Sequence, residues 1–133
     1  PIVAPDPSDQ VAYGRYLAVG KVDCYGCHSA DFKTVDPLVP ENSIGFFGGG
    51  NPMLGLDGEQ VIYSANITPH ETGIGNWTEE QFIQAVKYGQ RPDGTGLRYP
   101  MMPQPAMTDE EATAIWAYLQ TVPPIDNAVE RTE

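Results

Sequence analysis

Apolar residues along the chain fall into helical spacing in three places and lose regularity between them. Val11, Gly14, Leu17 and Ala18 share one face of a stretch that Ser8 is placed to cap and Gly20 to stop. This predicts a first helix from Ser8 to about Val19. Phe82, Ala85 and Val86 form a second stripe. Ahead of it, Thr78 and Gln81 have the spacing of a capping box and Trp77 and Phe82 that of a hydrophobic staple, with Gly89 as the stop. Ala112, Ile115, Leu119 and Val122 form the third stripe, entered through a Thr108/Glu111 box and ended by Pro123-Pro124.

Between positions 33 and 62 stand Pro37, Pro40, Gly48-Gly49-Gly50, Pro52, Gly55 and Gly58, and no helical period survives. Only Val61, Ile62 and Tyr63 read as a short extended piece. An irregular stretch this long in a compact domain is expected to be functional or wrapped around something. Residues 1–7, with three prolines, read as an extended tail or linker. Residues 8–126 read as the folded domain, and 127–133 as a polar, loose C-terminal tail.

Charge narrows the function. Eighteen acidic residues against seven basic give a formal net charge of −11 over 133 residues. A nucleic-acid binder needs a basic face, and so does a protein that docks on anionic lipid. No run approaches the roughly 18 apolar residues of a membrane span. At 41% hydrophobic residues the core is modest, and a large buried cofactor would help it. The start at Pro1 carries no leader-like pattern, as expected after removal of a signal or anchor or after trimming.

The chemistry lies in Cys24-Tyr25-Gly26-Cys27-His28, which uses both cysteines of the chain. C-x-x-C-H is the attachment motif of c-type haem. Two thiols three residues apart on one turn reach the two vinyl groups of a porphyrin, and the next residue brings an imidazole to the iron. A redox C-x-x-C expects a βαβ context that is missing here. A structural zinc expects further ligands, and only His70 and carboxylates remain. For the sixth position the candidates are Met53, Met101, Met102, Met107 and His70. Met107 has a competing role in packing on the last helix, and His70 sits in a polar turn. Pro100, Pro103 and Pro105 hold Met101 and Met102 in an extended run, so the two side chains point opposite ways. The residues alone do not choose between them.

With these motifs the chain resembles the class I cytochromes c. Within them it is similar to the haem domains of bacterial alcohol and gluconate dehydrogenase cytochrome c subunits. The likeness rests on Gly-Arg-Tyr-Leu-Ala at 14–18, Asp-Cys-Tyr-Gly-Cys-His at 23–28, Gly48-Gly49, and Tyr-Ser-Ala-Asn-Ile-Thr-Pro-His-Glu-Thr-Gly-Ile-Gly at 63–75. It continues through Trp77-Thr78 to Phe82, Tyr-Pro-Met-Met-Pro at 99–103 and Ala-Tyr-Leu-Gln-Thr-Val-Pro-Pro at 117–124. The resemblance implies a mostly α fold with N- and C-terminal helices packed across a covalent haem and long glycine- and proline-rich loops. It implies His28 as proximal ligand and Met102, the methionine directly before proline, as distal ligand. It also implies that Gly14 and Ala18 cross the last helix near Tyr118 and Leu119. Asn66 to Trp77 are placed along the haem edge, with Trp77 donating to a propionate. In the absence of the short Gly-Pro that often holds the proximal histidine, Pro37 or Pro40 is expected to supply that carbonyl. The large subunits of that subgroup carry three haems, against one motif here, and His70 stands where Asp is usual.

The expected function is that of a monohaem electron carrier, not an enzyme, exchanging electrons with redox proteins that present a basic face. It would work in the periplasm or another extracytoplasmic space, free or held through an N-terminal anchor. An apolar dock would instead fall at Met101 or Phe47. The alternatives are a haem domain of a larger oxidoreductase, and a haem enzyme or sensor with a displaceable sixth ligand.

Overall fold

The computed structural model describes residues 3–130. Helix α1 (Gln10–Arg15) runs on through a π-helical segment, Tyr16–Lys21, and α2 (Cys24–Cys27) is a single turn. A 3₁₀ turn at Pro40–Asn42 precedes a two-stranded antiparallel hairpin of β1 (Pro52–Leu54) and β2 (Val61–Tyr63). Helices α3 (Glu79–Tyr88) and α4 (Asp109–Leu119) complete the order.

Both predicted capping boxes are present, Thr78 with Gln81 and Thr108 with Glu111, each with side chain and backbone bonded reciprocally. Gly89 ends α3 in the left-handed region as expected. The first helix differs from its prediction. Asp9, not Ser8, is the cap, accepting from the Ala12 N–H, while the Ser8 N–H donates to Asp6. Gly20 does not stop it. The Val22 N–H reaches back five residues to Leu17 O, so the chain widens into π turns and carries the helix to Lys21. Val11 faces solvent, whereas Gly14, Leu17 and Ala18 are buried as predicted. Helix α4 ends before its prolines. The Thr121 N–H and hydroxyl both turn back onto Tyr118 O, closing the helix at Leu119, and Val122 is buried from outside it.

The core forms where α1 crosses α4, the most extensive helix pair. A Cβ on Gly14 would lie 1.9 Å from Ala114 O and 2.8 Å from Tyr118 Cβ. Only glycine permits this approach, which the resemblance anticipated at Gly14 and Tyr118. Leu17, Ala18, Phe47, Ile115 and Leu119 fill the space around it. Phe82 lies against Trp116 with ring centroids 5.5 Å apart, and Lys87 Nζ bonds Asp109 at 2.6 Å, fastening α3 to the start of α4. Trp77 and Met101 pack at the edge of this core.

The segment expected to be a loose tail is tied down at its first residue. The Asn127 N–H donates to Thr72 Oγ1, and its side chain donates to Gly48 O. Pro1, Ile2 and residues 131–133 lie outside the described residues. Among the described residues no helix is long and apolar enough to cross a membrane.

Candidate functional site

Asp23 enters α2 with a left-handed backbone, φ 60°, and sets Cys24 and Cys27 on one turn with His28 immediately after. Neither cysteine is in a disulfide. Burial, reinforced by the Asp23 carboxylate, pushes the Cys24 thiol up to about 12 and raises Cys27 as well.

Residues far along the chain hold the turn in place. The Gly49 N–H donates to His28 O at 3.0 Å, and Asn51 Nδ2 donates to Cys27 O at 3.3 Å. His28 Nδ1 lies 2.7 Å from Ala65 O. A carbonyl only accepts, so Nδ1 carries the proton and Nε2 keeps the lone pair that binds a metal. Burial lowers the His28 pKa, opposed by the Ala65 bond, and favours the neutral ring that ligation requires. Neither Pro37 nor Pro40 supplies this carbonyl. Ala65 does, because β2 delivers it beside α2. Gly49 makes room for it: at φ 70° its Cβ would sit 2.4 Å from Ala65 C and O. Gly49→Ala is therefore expected to cost about 2 kcal/mol or more of stability. Denaturant unfolding of the variant checks this.

The methionines separate, but not along the extended run expected: the Met101 N–H bonds back to Arg98 O and closes a turn there. Met101 packs on the core, while Met102 is 55% exposed. Met107 is buried in the core ahead of α4. Met53 lies on β1, opposite Ile62. His70 is turned into its own loop, with Nδ1 accepting from the Thr72 N–H and lying 2.8 Å from Thr72 Oγ1.

The Asn66 side chain bonds within the protein. Its Nδ2 donates to Ile125 O, Thr72 Oγ1 and Asn127 O, and its Oδ1 accepts from the N–H and hydroxyl of Thr68. The carboxamide is thus fully engaged in joining the 66–72 loop to the C-terminal segment. The Trp77 backbone N–H donates to Ile74 O, and the ring is half-buried. Sequence reasoning missed Ala65, Asn51 and the Arg98–Gln60 bond, in which Nη2 lies 2.8 Å from Gln60 Oε1. The Gly48-Gly49-Gly50-Asn51 run was the available signal for a close backbone approach.

Two thiols on one turn, followed directly by a histidine whose Nδ1 is held by a backbone carbonyl, are residues that can hold a haem covalently and offer its iron a nitrogen. This is the class of site that a c-type haem protein builds. The family profile described as cytochrome c matches residues 11–123, and the chain belongs to the cytochrome c family. As a cytochrome c domain it carries haem c, whose iron serves electron transfer. It is 38% identical, over all of its length, to the fructose dehydrogenase cytochrome subunit of Gluconobacter japonicus. It is 39% identical over 89% of its length to the gluconate 2-dehydrogenase cytochrome c subunit of Pantoea cypripedii. It is 40% identical over 81% to the alcohol dehydrogenase (quinone) cytochrome c subunit of Gluconacetobacter polyoxogenes. The chain spans 25%, 24% and 21% of the length of these relatives.

Proposed function

We propose that the chain is a class I cytochrome c domain that passes single electrons through one haem. In this reading the haem is bound by Cys24 and Cys27 and ligated by His28 and Met102. The observation that carries the reading is His28 itself, directly after the cysteine turn, with Nδ1 held by Ala65 O and Nε2 left free. Met102 is favoured for the sixth position because Met101 and Met107 are engaged in packing and His70 Nδ1 on Thr72, while Met53 sits on the hairpin rather than in the loop ahead of the last helix. The bound haem supplies an iron that alternates between ferrous and ferric, and thioether ligation favours the ferrous form. The polypeptide holds both ligands and keeps water out. Asn66 braces the loop beside Ala65, and Trp77 offers an indole N–H at the haem edge. The ferric holoprotein tests this: a six-coordinate low-spin spectrum with a sulfur–iron charge-transfer band is expected. A high-spin spectrum with an open position would instead support the enzyme or sensor.

A second reading is favoured by length. The chain spans about a quarter of dehydrogenase cytochrome subunits that it matches end to end or nearly so. On that basis it acts as one haem domain of a larger membrane oxidoreductase, outside the cytoplasm, relaying electrons between neighbouring centres.

Partners approach by electrostatic steering with a basic face. Among the described residues Arg15, Lys21 and Lys87 are bonded to carboxylates, so part of the small basic complement is already neutralised against a net charge of −11. Rates with a cationic redox probe are expected to fall with salt and those with an anionic probe to rise, converging as the Debye length shortens to about 8 Å. Stopped-flow mixing across ionic strength checks this. An apolar dock at Phe47 is closed, since that ring is fully buried.

A further inference from the structure

Arg98 has one hand committed and one free. Nη2 donates to Gln60 Oε1 at 2.8 Å, while Nη1 is buried and has no hydrogen-bond partner among the described residues. A guanidinium is always charged, and a buried charged donor without an acceptor is costly. Among the described residues no acid forms an ion pair with it, although the Asp57 carboxylate is near enough to feel its charge. The ion pairs among the described residues use Arg15, Lys21 and Lys87. Asp57, which lines the same cavity, accepts instead from the backbone N–H groups of Glu59 and Gln60. That cavity holds about 520 Å³ and is lined by Leu56, Asp57, Gln60, Ile62, Arg98 and Tyr99.

The position of Arg98 narrows what the missing acceptor is. Its carbonyl accepts from the Met101 N–H, so it opens the turn that carries the methionine pair. Gln60 directly precedes β2, and β2 leads to Ala65, the residue that holds His28. Arg98 thus joins the methionine segment to the strand that ends at the histidine clamp. A planar fork with one arm fixed suits a carboxylate. A free carboxylate must approach a chain of net charge −11. The haem carries two carboxylates and, once bonded to Cys24 and Cys27, presents them at high effective concentration.

We infer that Arg98 Nη1 binds a propionate carboxylate of the haem, with Gln60 setting the orientation of the fork. The inference rests on the haem c reading above. Trp77 remains free to serve the other propionate, while Asn66 Nδ2 is already bonded within the protein.

Resonance Raman spectra of the holoprotein test it through the propionate bending mode, identified by ¹³C-labelling of the propionate carboxyl carbons. Arg98→Met is expected to shift that mode, and Arg98→Lys, which keeps the charge but loses the fork, to shift it less. Should Arg98→Met yield no holoprotein, Arg98→Lys decides by the same mode. A mode unmoved in the variants overturns the inference and leaves a buried water as the partner of Nη1. Adding acetate should leave the wild-type spectrum unchanged. An acetate response that is lost in the Arg98 variants would place a solution anion at the site and equally overturn the inference. Low-spin haem c bands in every spectrum keep the two levels apart, since their absence from the wild type defeats the haem reading itself.

Discussion

Replacing Met102 by alanine is expected to abolish the sulfur–iron charge-transfer band and to let water or added imidazole bind the iron. The reduction potential should fall by a substantial part of the ~0.8 V over which axial ligands tune haem proteins. The direction follows from ligand softness: thioether sulfur stabilises ferrous iron, and the oxygen or nitrogen that replaces it stabilises ferric iron. Met101→Ala should keep the band and lose only modest stability, because that side chain packs at the edge of the core. Visible spectra and redox titrations of the two variants side by side check the assignment. The reverse pattern would move the ligand to Met101.

Gly14→Ala is expected to be the most damaging single methyl group in the chain. The added Cβ would meet the Ala114 backbone, carbonyl oxygen at 1.9 Å and carbonyl carbon at 2.6 Å, and neither is a side-chain end that can swing away. Helices α1 and α4 must separate or slide, and the packing of Leu17, Ile115 and Leu119 goes with them. Overpacking of this kind costs about 3 kcal/mol, a large share of the ~5–15 kcal/mol that holds a domain together. For a domain of this size, Tm should fall by about 10 °C. Thermal unfolding of the holoprotein checks this. Gly20→Ala, where nothing lies within 4 Å of the new methyl, should be nearly silent by comparison.

Legibility in the sequence tracks how local each cause is. The capping boxes at Thr78 and Thr108 and the buried stripes of α3 and α4 depend on residues within a turn of one another, so the chain announces them. The cysteine–histidine motif is equally local. The first helix was misjudged at both ends because two local signals competed: Asp9 outbid Ser8 for the cap, and π turns carried the helix through Gly20. The rest depends on distant pairing. Ala65 meets His28 from 37 residues away, and Asn66 meets Ile125 and Asn127 from 59 and 61. No spacing rule connects such positions. Strand β1 was invisible for a related reason: Pro52-Met53-Leu54 is only half a hairpin, and it becomes a strand when Val61–Tyr63 pairs with it.

The central claim is a haem bonded to Cys24 and Cys27. Its most direct test is a pyridine haemochrome spectrum of the protein after washing with acidified organic solvent. The account predicts that the colour stays with the polypeptide and that the reduced spectrum is that of a haem whose vinyl groups have become thioethers. It also predicts that the Cys24→Ala/Cys27→Ala variant releases its haem to the solvent. Haem that washes out of the wild-type protein, or a spectrum with its vinyl groups intact, would contradict it.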